Sequence, residues 1–429
     1  MMLLKRSRWS GSYVAMTIYF IGILFSVIVI WSNTLHTPSS LKWNSWVFYE
    51  WIINYEGGFV RRGLIGSVIN AFYYGEELSA VNTLVFFVAL LFILLATMFV
   101  ASNVKNARSA LLFVFCPVGF YWMAIGNEYY YRKEIFFFIA ILCACLIFQR
   151  WQIYRNHYLV LILTGFIFAT SILLPLVHEA FLFYGWLPFS LMLLQIHQEN
   201  GTSGKRVVIA YTVVSLVIFA ILSYYSGDAN TSKAIWLSLS DSAKALTVTS
   251  GPAGGISAIG WSLTRGLSLS VIALQTGLAS YYIFSIILIY LFVGYIVSEN
   301  RSLDLKQIYL SKQLLLPFGV VVVSFLPLFV IGWDWGRWVM GIWYVSLFIF
   351  LLNLDKQIVE FFPNTVGLLR KMFVFVVFPI LLSLGLITRV PECCFSGSGT
   401  SFFSNPVLSN FNPVLSNLKE FLKQFVGLY

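Results

Sequence analysis

The chain has 429 residues, of which 59% are hydrophobic, 18% are aromatic and 10% are charged. Soluble globular domains are about 45–50% apolar, so this composition excludes an ordinary soluble protein and indicates a membrane protein. The net charge of +10 does not indicate nucleic-acid binding, because the basic residues are spread over many short loops instead of one basic domain.

Apolar stretches of about 17–20 residues recur along the chain, and a helix of that length crosses a bilayer. The first stretch, 13–31, follows Lys5, Arg6 and Arg8 and lacks a small-residue cleavage pattern, so we interpret it as a retained helix. The sequence therefore predicts an all-α, polytopic transmembrane helix bundle. Its spans number about eleven, at 13–31, 81–101, 110–125, 134–149, 158–174, 180–195, 207–225, 280–297, 314–332, 338–353 and 373–388.

The basic residues also predict the orientation of the bundle. With a cytoplasmic N-terminus, every short cytoplasmic loop carries at least two Lys or Arg residues, as the positive-inside rule requires. Long non-cytoplasmic loops then follow span 1 and span 7; the second contains "SGPAGGISAIGWSLTRG", a composition typical of a mobile loop. Residues 1–388 form the transmembrane domain, and 389–429 form a non-cytoplasmic tail of low complexity that ends in a short surface helix.

The first long loop contains "NYEGGFVRRGLIGS" between two aromatic, amphipathic flanks that we expect to lie as helices in the membrane interface. Gly57 and Gly58 allow the backbone to approach a ligand closely. Arg61 and Arg62 follow them, and two guanidinium groups suit bidentate phosphate binding. The alternative is that these arginines extend to the lipid headgroups.

Two acidic residues of this loop are candidate general bases. A carboxylate beside a phosphate ester at the membrane edge is partly desolvated and can accept a proton from an acceptor hydroxyl. The spacing favours Glu56, which adjoins the glycine pair, with Glu50 as the second candidate; both can instead pair with the nearby arginines. No motif in the sequence specifies a cofactor, and a divalent metal between Glu56 and a lipid phosphate is left open.

A second polar stretch, "GNEYYYRKE", precedes the predicted span 134–149. Its tyrosines, Tyr130 among them, suit stacking on a sugar, and Arg132 or Lys133 suits binding of a phosphate. The alternative interpretation is an aromatic belt with flanking cations at the membrane surface.

Two further pairs of ionisable residues lie beside predicted spans. His178 and Glu179 fall between two apolar stretches without a loop-forming spacer, where a charged group usually faces a polar cavity or a partner. We expect a catalytic role for at least one of them. Asp334 and Arg337 lie three residues apart, so on a helix they form an ion pair, or Arg337 contributes to the same anionic site.

The layout resembles that of the GT-C superfamily of membrane glycosyltransferases. In that superfamily a long loop after the first helix carries an acidic catalytic residue, and another long outer loop follows the seventh helix. The matching acid here is Glu50 or Glu56; the Asp common in the superfamily is absent from this loop. The chain is also similar in kind to O-antigen polymerases, which share periplasmic arginines.

The resemblance and the residues together predict inverting transfer of a sugar from a polyprenyl phosphate to a lipid-linked glycan acceptor. The expected place is the outer face of a bacterial inner membrane, in surface-polysaccharide biosynthesis, with membrane lipid and no nucleic acid as partner. One alternative is a repeat-unit polymerase that uses a polyprenyl-pyrophosphate oligosaccharide. Another is a transporter or flippase for the same lipids, which needs a continuous polar path across the bilayer.

Overall fold

The computed structural model describes residues 2–34, 45–104, 106–115, 131–247, 249–275, 278–301, 312–331 and 334–360, and these residues form helices and turns without a β-strand. The helices of the first half are α1 (Met2–Thr34), α2 (Ser45–Trp51), α3 (Gly63–Tyr73), α4 (Glu77–Asn103), α5 (Ala107–Phe115), α6 (Ile135–Tyr154), α7 (His157–Val177) and α8 (Phe181–Glu199). Those of the second half are α9 (Gly204–Tyr224), α10 (Ala229–Ser238), α11 (Asp241–Lys244), α12 (Gly254–Ile259), α13 (Leu263–Gln275), α14 (Leu278–Arg301), α15 (Lys312–Ile331), α16 (Trp335–Leu351) and α17 (Asp355–Glu360).

Seven helices in the described part of the chain are long and apolar enough to cross a membrane: α1, α4, α6, α7, α9, α14 and α15. The protein is therefore an integral membrane protein with a helical bundle. The predicted spans 180–195 and 338–353 coincide with α8 and α16, which are not among the seven. Span 110–125 is described only over its first residues, and span 373–388 and the tail 389–429 lie outside the described residues. The total of eleven spans stays a prediction.

The interior of the bundle is apolar and rich in aromatic rings. Helix α6 packs against α4, α7 and α8, and α16 packs against α14 and α15. The rings of Phe138 and Tyr344 lie 4.6 Å apart between these two groups of helices. Helix α16 is buried over almost its whole length, as its continuous apolar sequence requires.

Polar contacts connect the helices at one end of the bundle. Arg301 at the end of α14 binds the Asp355 carboxylate at 2.7 Å, and the Asn106 amide donates to Glu299 at 2.6 Å. This is the end where the sequence predicts basic cytoplasmic loops. The candidate site described below lies at the opposite end, where α7 and α15 finish and α6, α8 and α16 begin.

The two long loops pack on each other at that opposite end. Helix α12 contacts α2, and a Cβ atom on Gly255 would lie 2.7 Å from the Glu50 Cα, so only glycine allows this approach. The Tyr49 hydroxyl donates to the Ala243 carbonyl at 2.9 Å. The stretch predicted as a mobile loop is thus folded into short helices, because its glycines let backbone touch backbone.

The two predicted amphipathic flanks both form helices, but only one has an exposed apolar face. Val68, Phe72 and Tyr73 on α3 are exposed, as expected for a helix in the membrane interface. Helix α2 is instead buried by protein, since α4 and α12 cover it. The sequence cannot distinguish these cases because burial against protein and against lipid need the same apolar residues.

Candidate functional site

Ten charged or titratable side chains from five separate segments meet at one end of the bundle. We call them the charge cluster: Glu50, Arg61, Arg62, Arg132, Lys133, Glu134, His178, Glu179, Asp334 and Arg337. The segments are the end of α2, the residues before α3, the residues before α6, the turn between α7 and α8, and the start of α16. The fold therefore brings together residues that lie up to about 290 positions apart in the sequence.

Glu50 is the centre of the charge cluster and is almost fully buried. Its carboxylate accepts a hydrogen bond from Arg132 at 3.0 Å and lies 3.4 Å from the Arg62 Nη1 atom. Burial alone would raise the pKa of Glu50, but the contact with His178 and the charges of Arg337 and Arg132 hold that pKa well below its usual range. Glu50 is therefore ionised at neutral pH.

Glu179 pairs with both arginines of the first loop. The Arg62 Nε atom donates to Glu179 Oε2 at 2.8 Å, and Arg61 Nη1 donates to Oε1 at 3.2 Å. Burial acts to raise the pKa of Glu179, but the charges of Arg62 and Arg61 and the hydrogen bond from Arg62 hold it well below its usual range. The adjacent arginines are thus fixed by a carboxylate from the α7–α8 turn.

Arg337 lies between two carboxylates. Its Nη1 atom donates to Glu134 Oε1 at 2.6 Å, and its Nη2 atom contacts Asp334, three residues earlier. The Tyr184 hydroxyl donates to the Arg337 carbonyl at 3.0 Å. The predicted Asp334–Arg337 ion pair is therefore present, and Arg337 also belongs to the charge cluster.

The hydrogen bonds of His178 define its tautomer. The Ala180 backbone N–H donates to the Nδ1 atom at 3.1 Å, so Nδ1 is an acceptor and a neutral ring carries its proton on Nε2. Nε2 lies 3.2 Å from Glu50 Oε1 but is poorly aligned for a hydrogen bond. Because Nδ1 is already occupied, His178 suits orientation of Glu50 better than proton abstraction.

Several buried atoms of the charge cluster have no hydrogen-bond partner among the described residues. They are the Nε atoms of Arg61 and Arg337, the Nε2 atom of His178 and the Oε2 atom of Glu134. Buried polar atoms are normally satisfied, so a group of unsatisfied ones at a single site indicates a place for a polar ligand or water.

The positive charge of Arg61 is less neutralised by carboxylates than that of its neighbour Arg62. Its side chain is 26% exposed and contacts a single carboxylate in the described part of the chain, that of Glu179. Burial lowers the pKa of Arg61 in spite of Glu179, whereas the pKa of Arg62 is raised because its two carboxylates outweigh burial. Arg61 is therefore available to a second anion, while Arg62 is committed to the protein.

The backbone at Arg62 is held in a left-handed conformation, with φ of 68°. A non-glycine residue in this conformation costs about 1 kcal/mol or more and persists where its surroundings require it. Here the Lys133 ammonium donates to the Arg62 carbonyl at 3.0 Å. The next residue, Gly63, lies under the Tyr55 ring, where a Cβ atom would come within 2.2 Å of the ring. The sequence "RRG" thus combines the charges with the glycine that the turn requires.

Three residues predicted from the first loop lie outside the charge cluster. Glu56 is exposed, and its carboxylate forms no ion pair within the described part of the chain. Gly57 faces α10, where a Cβ atom would lie 2.8 Å from the Thr231 carbonyl oxygen, and Gly58 takes a φ of 97° in a turn closed by its N–H and the Tyr55 carbonyl. The glycines therefore serve the turn and its packing. Tyr130 lies outside the described residues.

Glu134 belongs to the charge cluster although the sequence did not single it out as a site residue. It directly precedes an apolar span, and a carboxylate at that position is the feature by which the sequence could have identified it. Its partner Arg337 lies 203 positions away, so sequence spacing alone gave no reason to join them. Within the described residues, no group of three or more His, Cys, Asp or Glu side chains is arranged to hold a metal ion.

Comparisons with known proteins give no relative from which a role can be transferred. No protein-family model, no curated protein and no solved structure matches the chain. The function must therefore be argued from the charge cluster itself.

Proposed function

We propose that the protein transfers a sugar from a polyprenyl phosphate to a hydroxyl of a lipid-linked glycan, with inversion at the anomeric carbon. The reaction takes place at the charge cluster, on the outer face of a bacterial inner membrane. The supporting observation is the group of buried arginines with unsatisfied nitrogen atoms at one end of a membrane helix bundle. Such a group favours an anion that arrives from the lipid phase.

The leaving phosphate is assigned to Arg61. Within the described part of the chain, Arg61 is partly exposed, has an unsatisfied Nε atom and shares its single carboxylate with Arg62. When the bond between the anomeric carbon and the phosphate oxygen breaks, the electron pair stays on the phosphate. A fixed guanidinium group stabilises that developing charge without reorganisation.

The proton from the acceptor hydroxyl is assigned to Glu134. One oxygen of this carboxylate binds Arg337 at 2.6 Å, and the other, Oε2, is buried and has no partner among the described residues. The oxygens of Glu50 both have cationic neighbours, so Glu50 holds the arginines in place. As the acceptor oxygen bonds to the anomeric carbon, its proton passes to Glu134.

The sugar is assigned to aromatic rings beside Arg61. The Arg61 backbone N–H donates to the Tyr225 carbonyl at 3.2 Å, and Phe59 packs on the Tyr225 ring with centroids 5.2 Å apart. The rings of Tyr55 and Phe59 are stacked, with centroids 5.4 Å apart. Phe59 and Tyr225 are each nearly half exposed, and exposed aromatic faces suit the apolar face of a pyranose ring.

The proposal is tested by complementation in cells that lack the native copy of the gene. The Glu134→Gln variant should reduce formation of the surface glycan by about 10²–10⁴-fold, the usual effect of removing a general base. Glu56→Gln is the matched control, because Glu56 is an exposed carboxylate outside the charge cluster, and it should leave the glycan unchanged. The amount of each variant in the membrane is measured in parallel.

The opposite pattern, in which Glu56→Gln abolishes the glycan and Glu134→Gln does not, would refute the assignment. The accumulated lipid-linked product separates the three functions considered. A transferase defect leaves a glycan that lacks one sugar, a polymerase defect leaves single repeat units, and a flippase defect leaves intermediates on the cytoplasmic face.

A further inference from the structure

Lys133 is an unusual member of the charge cluster. Its side chain is fully buried, and its ammonium donates one hydrogen bond, to the Arg62 carbonyl at 3.0 Å. No carboxylate lies within 4.0 Å of its Nζ atom among the described residues, whereas each arginine of the charge cluster has one within that distance. A buried ammonium without a counter-ion is costly, so it needs either an anion or the loss of its proton.

Charged groups from several segments of the charge cluster act on Lys133. Glu50 on α2, Glu179 in the α7–α8 turn and neighbouring Glu134 favour its charged form, and Arg62 opposes it. Arg132 precedes it in the chain. Burial is the largest effect and lowers the pKa of Lys133 to about 7. In the ligand-free protein, a substantial fraction of Lys133 is therefore neutral at physiological pH.

We propose that Lys133 takes up a proton when a phosphate-bearing ligand binds the charge cluster, and that its ammonium becomes a direct counter-ion of the phosphate. This inference rests on the proposed function, since it requires an anionic ligand at this site. The bound anion supplies the negative charge that the described residues do not place next to Nζ. The proton comes from solvent, and ligand and proton bind together.

The experiment is calorimetric titration of the full-length protein in detergent with methyl farnesyl phosphate. This phosphate diester keeps one negative charge at neutral pH and contributes no proton of its own. Titrations at pH 8.5 in buffers of different ionisation enthalpy give the number of protons taken up. We expect close to one proton per ligand in the wild type and none in Lys133→Arg, which stays charged throughout.

The pH dependence of the affinity provides a second readout in the unmodified protein. Above the pKa of the free Lys133, each pH unit should weaken binding by roughly tenfold, because the neutral form must first be protonated. Lys133→Arg should bind equally well at pH 7.5 and 8.5. Lys133→Met should bind weakly at both, without proton uptake, and it replaces Lys133→Arg if the longer side chain prevents folding.

The possible outcomes separate this inference from the proposed function. Binding with equal proton uptake in the wild type and both variants would overturn the role of Lys133 and leave the anion site intact. A pH-independent affinity of the wild type would do the same. Failure of the wild type to bind methyl farnesyl phosphate at all would overturn both proposals.

Discussion

At the scale of single residues, the two adjacent arginines of the charge cluster, Arg61 and Arg62, have different surroundings. Arg62 contacts Glu179 and Glu50 and supports the turn with its backbone, whereas Arg61 contacts Glu179 as its single carboxylate among the described residues and is 26% exposed. Arg61 can therefore bind an anionic ligand, whereas Arg62 stabilises the protein. Their adjacency in the sequence conceals this difference.

Matched substitutions should reveal the two roles. Arg62→Met leaves Glu179 and Glu50 with fewer cationic partners, and loss of one member of a largely buried pair costs about 3–5 kcal/mol, so thermal unfolding in detergent should shift well below the wild type. Arg61→Met should lower stability by less than Arg62→Met, because it leaves Glu179 paired with Arg62 and does not affect Glu50, but it should weaken binding of methyl farnesyl phosphate at least tenfold. Equal losses of stability in the two variants would contradict this division.

Single residues also differ in whether the sequence can predict their place in the site. The candidates Glu50, Arg61, Arg62, His178 and Arg337 could be chosen because charged residues beside membrane spans are costly, and the fold brings them together. The sequence favours Glu56 over Glu50 because Glu56 adjoins two glycines. The turn at 55–58 leaves Glu56 exposed, and chain spacing does not reveal which way a turn directs a side chain.

At the scale of helices, glycines decide how closely the elements around the site approach. Gly66 on α3 faces the Ile53 carbonyl, where a Cβ atom would lie 1.9 Å from the oxygen. Gly255 on α12 approaches Glu50 in the same way. These contacts fix α3, α12 and the end of α2 relative to each other, and so they fix the directions of Glu50 and the arginines.

Substitution of helical glycines by alanine tests this packing. Gly66→Ala must displace α3 from the 52–55 backbone, so we expect a marked loss of thermal stability and of glycan formation. Gly165→Ala on α7 is the control, because a Cβ atom there meets nothing within 4 Å, and alanine is the better helix former by about 1 kcal/mol. A Gly66→Ala variant as stable as Gly165→Ala would show that the approach of α3 is not needed.

At the scale of the whole molecule, apolar helices separate two polar ends with different characters. One end carries individual ion pairs such as Arg301 with Asp355, and the other carries the charge cluster. The helical bundle itself was predictable, because the length and composition of a span determine whether it can cross a bilayer. The contacts between α2 and α12 and between Glu134 and Arg337 were not, because they depend on tertiary packing of distant segments.

The central claim is that the charge cluster binds the phosphate of a membrane lipid, and a density map of the protein with a bound polyprenyl phosphate tests it most directly. The account predicts phosphate density within hydrogen-bond distance of the Arg61 guanidinium and the Lys133 ammonium, with the isoprenoid chain leading into the lipid. A phosphate bound elsewhere, with Arg61 and Lys133 unchanged, would contradict the account.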